Sequence, residues 1–327
     1  MKTQALINFL NTCSPKRIAV IGHRNADPDA ICSMYAFSYF LKKLYKDINV
    51  SLIAEDVNKV SEKIISELNI NIETNLLFKP DVIALVDANN LIQIGKIRDF
   101  IPEDVPIIII DHHTAHPETD KISRFKIIDE KATSTSEIIY KILKETSLEI
   151  EPKIALSLLI GILYDTRRFT LISNETFSIV LDLLRAGANY NKALELLRTA
   201  MDRSEKIARL KAAQRAAIHK IGDWIIVTSH VSTYEASACR ALLDLGADVA
   251  FVVAEKEDEV RISARATQEF YEKTGISLAK IMEKVGQAMD GVGGGHPTAA
   301  GANGNKNAEE GIKVALKILE EEIGNLL

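Results

Sequence analysis

Cysteine is scarce in this chain of 327 residues: Cys13, Cys32 and Cys239 are the whole complement, far apart and without a CxxC spacing. That excludes a disulfide framework and a zinc ribbon, and all three read as buried thiols. Long apolar runs are also missing. No stretch approaches the length of a membrane span, and the N-terminal MKTQALINFLNTCSPKR interrupts its apolar residues with polar ones, unlike the core of a signal peptide. A cytoplasmic protein with no membrane partner is expected. Nor is there an excess of positive charge: 40 Lys plus Arg against 45 Asp plus Glu leave a net charge of −5. This argues against bulk attraction to a polyanion but leaves local patches open. Tandem repeats and low-complexity tracts are absent too.

What is present fits a globular protein with room for two cores, with 47% hydrophobic and 26% charged residues. In the first half, RIAVIG (17–22), VSLIAE (50–55), DVIALVD (81–87) and PIIIID (106–111) read as strands. The intervening 29–45 and 57–69 carry apolar residues at helical spacing. Near-continuous apolar strands alternating with helices predict an α/β domain with a mostly parallel sheet and helices on both faces. Ligands of such sheets bind beyond the carboxyl ends of the strands. Three strands deliver polar residues there: His23 after the first, Asp87 closing the third and Asp111 closing the fourth.

From about residue 134 the pattern turns helical. STSEIIYKILKET opens with Ser134 and has Glu137 three residues on, a capping-box signature. Helices follow over 152–165 and 174–187, the second closed by Gly187, and 191–220 reads as a long helical stretch without Gly or Pro. Residues 189–220 hold eight Lys plus Arg against three Asp plus Glu, a local charge of +5. A solvated helix face and a phosphate-tracking surface weigh equally as explanations. A smaller α/β unit follows: a strand (224–231), a helix (234–246), two strands within 248–267 joined by a charged turn at 255–258, and another helix. That helix leads to GVGGGHPTAAGANG (291–304) and a last helix. The expected division is 1–188, a helical connector over 189–220, and 221–327.

Four clusters carry chemistry, each with a bland reading. In GHRNADPDAICS, Asp29 reads as a helix N-cap and Asp27 as a turn former beside Pro28. Asp87 resembles any strand-end turn aspartate, and the HH of DHH is commonly accidental. Asp165, at the end of an apolar helix, opposes the helix dipole and calls for an explanation. Together, several carboxylates and an imidazole at one sheet edge would repel unless cations neutralise them. Oxygen and imidazole donors without thiolates suit Mn²⁺ or Mg²⁺. Two such ions about 3.5–4 Å apart clamp the attacking and leaving oxygens of a phosphoryl displacement.

In order, HRNADPD, Asp87, DHH, GILYDTRRF and GGGHPTAAG resemble the motifs of the DHH phosphoesterase family, in the branch with a GGGH-bearing C-terminal domain. That branch holds RecJ-like exonucleases and nanoRNases, and the likeness covers nearly the whole chain. It implies two divalent cations, Mn²⁺ before Mg²⁺, one held by His23 and Asp27, the other by Asp29, His112 and Asp165, with Asp87 bridging. It further implies that His113 faces the scissile phosphate while Asp111 orients the histidines. Gly293, Gly294, Gly295, His296 and Arg265 would bind substrate, whereas Arg261 equally suits a surface charge.

The chain departs from the family at Pro28, at Gln93 where many relatives have Arg, and at Arg167 and Arg168, since relatives tend to follow DT with Gly. Two arginines beside the metals would grip an extra phosphate. The resemblance implies a nuclease that releases mononucleotides from single-stranded DNA or RNA or short oligonucleotides, in the 3′-to-5′ direction, as a homo-oligomer. The alternatives are hydrolysis of 3′-phosphoadenosine 5′-phosphate or a cyclic dinucleotide, and a non-catalytic replication scaffold, against which the full set of ligand positions counts.

Overall fold

Short apolar runs alternating with helices build the first of two compact units, residues 1–199; the second is 200–327. The computed structural model describes residues 2–198, 201–256, 259–305 and 308–326. The first unit runs α1 (Lys2–Cys13), β1 (Arg17–Ile21), α2 (Pro28–Leu44), β2 (Asn49–Ile53), α3 (Lys59–Glu67), β3 (Val82–Val86), β4 (Ile107–Asp111), α4 (Thr119–Ile122) and β5 (Ser123–Ile128). Four helices follow: α5 (Thr135–Glu145), α6 (Pro152–Asp165), α7 (Asn174–Arg185) and α8 (Tyr190–Leu196). Its strands form one parallel sheet in the order β2-β1-β3-β4-β5.

The four isoleucines of β4 explain the continuous apolar pattern. Ile108 and Ile110 enter a core with Phe37, Leu143 and Leu159 from α2, α5 and α6. Ile107 and Ile109 point the other way, among Ile94, Ile97 and Leu76. Alternate side chains of a strand face opposite sides, so a strand covered on both sides must be apolar throughout. The fifth strand, β5, was not legible in this way: its residues alternate between half-buried and exposed until Ile127.

The second unit runs α9 (Arg203–Gln214), β6 (Ala217–Ile221), β7 (Trp224–Val231), α10 (Glu235–Asp244), β8 (Val249–Lys256), β9 (Glu259–Ala266), α11 (Gln268–Thr274), α12 (Leu278–Ala288), β10 (Val292–His296), β11 (Ala299–Gly304) and α13 (Ala308–Gly324). Its mixed sheet has the order β10-β11-β9-β8-β7-β6. The 191–220 stretch is not one helix. It contains α8, α9 and then β6, which pairs antiparallel with β7 across Gly222 and Asp223. Residues 199 and 200 lie outside the described residues, as do 257 and 258 of the expected charged turn. Of the basic residues in that stretch, Arg209 donates to Ser237 Oγ of α10 at 2.8 Å and Arg215 to the His230 carbonyl at 3.3 Å, so both are tied to neighbouring elements.

Strand residues alternate between two cores here as well. Val249 and Phe251 join Ile281 and Leu319 under α12 and α13, while Ala250 and Val252 join Ala212 and Leu242 under α9 and α10. The glycine run is an edge strand of this sheet, hairpinned to β11. A side chain at Gly293 would put its Cβ 1.8 Å from the Met282 carbonyl of α12. Gly293 thus lets the helix lie on the strand backbone. Among the described residues no helix is long and apolar enough to cross a membrane. Gly293→Ala is expected to lower the unfolding free energy by about 1–3 kcal/mol through overpacking, measured as an earlier urea midpoint.

Candidate metal centre

Because the strands of the first sheet are parallel, their carboxyl ends share one edge. The chain runs from β1 out to β2 and returns to β3 on the other side of β1. This is a topological switch point, where loops diverge and leave room for a ligand. His23 follows β1 there, Asp87 follows β3, Asp111 closes β4, and His112 and His113 follow it. Asp87 takes φ 60°, a left-handed conformation that aspartate tolerates better than most residues, and it is 2% exposed. Its amide donates to the Ile110 carbonyl at 2.9 Å, anchoring the turn to β4.

Three helix ends complete the edge. Asp27, not Asp29, is the N-cap of α2: its Oδ1 accepts from the amides of Asp29 and Ala30, with Pro28 at the first helical position. Asp29 is fully buried and reaches another helix, where its carboxylate accepts from the amides of Thr135 (2.7 Å) and Ser136 (3.1 Å) at the start of α5. Both carboxylates sit on positive helix ends. Ser134 caps α5, but Glu137 reaches back to the amide of Thr133 rather than that of Ser134, so the expected capping box is half formed. Asp165 projects from the last turn of α6. Gly161, one turn earlier, makes the approach of α6 possible, since a Cβ there would lie 2.5 Å from Asp29 Oδ1.

These residues meet in three overlapping groups whose ligand atoms lie within 4.8 Å of one another: His23, Asp27 and Asp87; Asp29, His112 and Asp165; and Asp87, Asp111, His112 and His113. Asp87 stands between the first two. Its Oδ2 is 3.6 Å from His23 Nε2, and its Oδ1 is 3.7 Å from His112 Nε2. Asp165 Oδ2 lies 3.2 Å from the same His112 nitrogen. That nitrogen is buried and makes no hydrogen bond, an orphan of the kind a cation would satisfy. Two donor sets sharing one carboxylate, rich in oxygen and imidazole and free of thiolate, fit two divalent cations.

The chain is 36% identical to an uncharacterized protein of Methanocaldococcus jannaschii, over 90% of this chain and 91% of that one. The N-terminal domain of the DHH family matches residues 17–162, and the DHHA1 domain matches 230–325. The chain belongs to the DHH phosphoesterase family. A probable manganese-dependent inorganic pyrophosphatase of Streptococcus equi subsp. zooepidemicus is 27% identical over 74% of this chain and 75% of its own length. The cyclic-di-AMP phosphodiesterase GdpP of Geobacillus thermodenitrificans is 25% identical over 88% of this chain, which spans only 44% of that longer protein. An exopolyphosphatase-related protein of Bacteroides fragilis shares the fold, with a TM-score of 0.65 at 19% identity, covering 99% of this chain and 98% of that one.

In this DHH phosphoesterase the carboxylate of Asp111 is already taken. Its Oδ1 accepts from the amides of His112 and His113 and lies 2.9 Å from His113 Nδ1, while its Oδ2 accepts from Asn89 Nδ2 at 2.7 Å. It therefore holds the two histidines in register, with Asn89 behind it. Asn89 escaped the sequence reading because nothing in DANN separates it from a turn residue. Thr135, whose hydroxyl donates to Asp87 Oδ1 at 2.7 Å, was hidden inside the capping signature.

His113 and Asp165 stand between two open cavities. One, of about 550 Å³, is lined by His112, Thr133 and Ser173; the other, of about 390 Å³, by His23, Arg24, Asp87 and Gln93. Arg167 and Arg168 are not in either. Two and three residues along the chain from Asp165, they line a separate cavity with Tyr164 and Leu197. In the second unit, His296 pairs with Ala299 and Ala299 with Arg265, so the three share one face of the sheet with Gly294. No atom lies within 4 Å of where a Gly294 side chain would begin, which leaves that backbone open to approach. Arg261 is bound by Glu259 through two hydrogen bonds.

Crowding governs the protons. Burial, then repulsion by Asp29, Asp27 and Asp165, pushes the Asp87 carboxyl well above the usual carboxylate range. Burial and the charges of Asp29 and Asp27 raise Asp165 to about 9. For His23, burial opposes the imidazolium, but the hydrogen bond to Asp27 and the field of Asp87 outweigh it and raise the pKa to about 9. In metal-free protein the contributions of Asp165 and His23 to stability are fully present only below their ordinary values of 3.8 and 6.5, respectively, and are lost as pH rises through about 9. The Tm of protein in EDTA is therefore expected to fall between pH 6.5 and 9. Mn²⁺, which must displace the same protons, should raise Tm most at the alkaline end and release protons measurable by calorimetry in buffers of differing ionisation enthalpy.

Proposed function

We propose that the protein is a divalent-cation-dependent phosphodiesterase that removes mononucleotides from single-stranded DNA or RNA and from short oligonucleotides, in the 3′-to-5′ direction. The observation that carries this reading is the position of His113 and Asp165 between two open cavities. A diester has a group on each side of its phosphorus and needs room on both sides, whereas pyrophosphate does not. The open sheet face of the second unit, with Arg265, His296 and the accessible Gly294 backbone, offers cation, imidazole and amide donors to a nucleotide phosphate.

The cations, Mn²⁺ before Mg²⁺, would be held by His23 and Asp27 on one side, by Asp29, His112 and Asp165 on the other, and by Asp87 in common. When bound they supply Lewis acidity to the phosphate and acidify water. His113 supplies the proton. Its hydrogen bond to Asp111 raises its pKa above the ordinary imidazole value, so near neutrality it donates to a phosphate oxygen or to the leaving oxygen. Asp111 keeps Nδ1 occupied, which leaves Nε2, on a ring half exposed to solvent, as the donating atom.

Hydrolysis of a cyclic dinucleotide or of 3′-phosphoadenosine 5′-phosphate is the second reading, favoured by the activity in the name of the GdpP relative. Incubation with Mn²⁺ and end-labelled oligonucleotides of graded length, beside both small nucleotides, separates the two. Mononucleotides released from the oligonucleotides are expected; consumption of the small nucleotides alone would overturn the nuclease reading. Asp87→Ala should abolish Mn²⁺ uptake and hydrolysis together, and retained activity would remove its bridging role. His113→Ala should lower kcat about 10²–10⁴-fold while Mn²⁺ uptake persists.

A further inference from the structure

We propose that Tyr164, Arg167 and Arg168 form a second nucleotide subsite, which takes the phosphodiester and base next to those held at the carboxylate cluster. The proposal rests on the oligonucleotide reading above. The turn after α6 is unusual: Arg167, Arg168 and Phe169 have φ of 48°, 57° and 71°, three consecutive non-glycine residues in the left-handed region. It is tied down by Thr166, whose hydroxyl donates to the Ile162 carbonyl and accepts from the Phe169 amide, and by Thr170, whose hydroxyl donates to the Arg167 carbonyl. Glycine would adopt these angles without strain, and strain of this kind persists where a side chain has work to do.

The two side chains are exposed, and among the described residues neither guanidinium has a hydrogen-bond or ion-pair partner. With Tyr164, Val60, Leu163 and Leu197 they line a cavity of about 370 Å³ that holds no carboxylate. Two unpaired guanidinium groups bind a phosphodiester, and an aromatic ring beside aliphatic side chains accepts a base. Offsetting the negative end of α6 would need neither the left-handed turn nor the cavity.

The cavity shares no lining residue with the two at the metal centre, but two chain segments connect it to the centre. Tyr164 precedes Asp165, and Val60 of the cavity lining lies two residues beyond Asn58, whose amide donates to the carbonyl of Ala26, the residue before Asp27. In this proposal the subsite serves a substrate at least one nucleotide longer than the unit cleaved.

Arg167→Gly and Arg168→Gly test the proposal, because glycine suits the backbone and the variants should melt no lower than the parent. With Mn²⁺, each should raise KM for a dinucleotide about tenfold at unchanged kcat, and leave hydrolysis of bis(p-nitrophenyl) phosphate untouched. With Ca²⁺ in place of Mn²⁺ and a fluorescent pentanucleotide, the salt dependence of binding should flatten by about 0.7 in log–log slope per arginine. Parent-like KM and slope in both variants would overturn the subsite while leaving the nuclease reading intact. A parallel loss on bis(p-nitrophenyl) phosphate would overturn it by placing the arginines at the metal centre. Parent protein that cleaves bis(p-nitrophenyl) phosphate but no oligonucleotide would instead overturn the nuclease reading, and the subsite with it.

Discussion

The carboxyl of Asp87, almost wholly buried and within the field of Asp27, Asp29, Asp111 and Asp165, is the constraint around which the first unit is arranged. A buried carboxylate among other carboxylates is unstable unless positive charge or hydrogen-bond donors surround it. The fold supplies what a polypeptide can: the Thr135 hydroxyl on Asp87, the N-terminus of α5 on Asp29, the N-terminus of α2 on Asp27. What these donors leave uncompensated is taken up by protons on His23 and Asp165 or by cations in their place. The same crowding that makes the edge costly makes it selective for divalent ions, since only a compact double charge satisfies several ligands at once.

Rigid packing keeps the cluster from relieving its repulsion by spreading. The strands that aim His23, Asp87 and Asp111 are covered on both faces, and Gly161 lets α6 close onto Asp29 and α5. Function then grades outward from this core. Asp111 and Asn89 hold His113, which borders open space on both sides. The second unit follows a different principle, in which a missing side chain is what matters. Gly293 admits α12, and Gly294, on the opposite face, leaves backbone bare beside Ala299 and His296.

Much of this was legible in the chain. β1 to β4 stood out because burial on both faces forces continuous apolar runs, and the histidines and aspartates stood out because they terminate those runs. β5 was not, being partly exposed along its length, and β6 was hidden in a composition equally suited to a helix, its strand state resting on the partner strand β7. The N-cap of α2 was misjudged between Asp27 and Asp29 because both precede the helix and only three-dimensional position separates them: one folds back on its own amides, and the other crosses to α5. The left-handed turn at Arg167 and Arg168 and the cavity that they line with Tyr164 were not legible either, because neither leaves a mark on the residue pattern of the chain.

By itself the sequence determined the family, the layered parallel sheet and the chemical character of the centre, because order of motifs, strand period and donor type are local properties of the chain. Tertiary structure alone decided which oxygen of Asp87 faces which donor set, that Asp111 is saturated by the amides of its neighbours and Asn89, and that Asn89 and Thr135 belong to the site at all. The reason is physical. Hydrogen bonds and charge pairing depend on separations of a few ångströms between residues that lie far apart in the chain, and only the packed sheet edge brings them within reach.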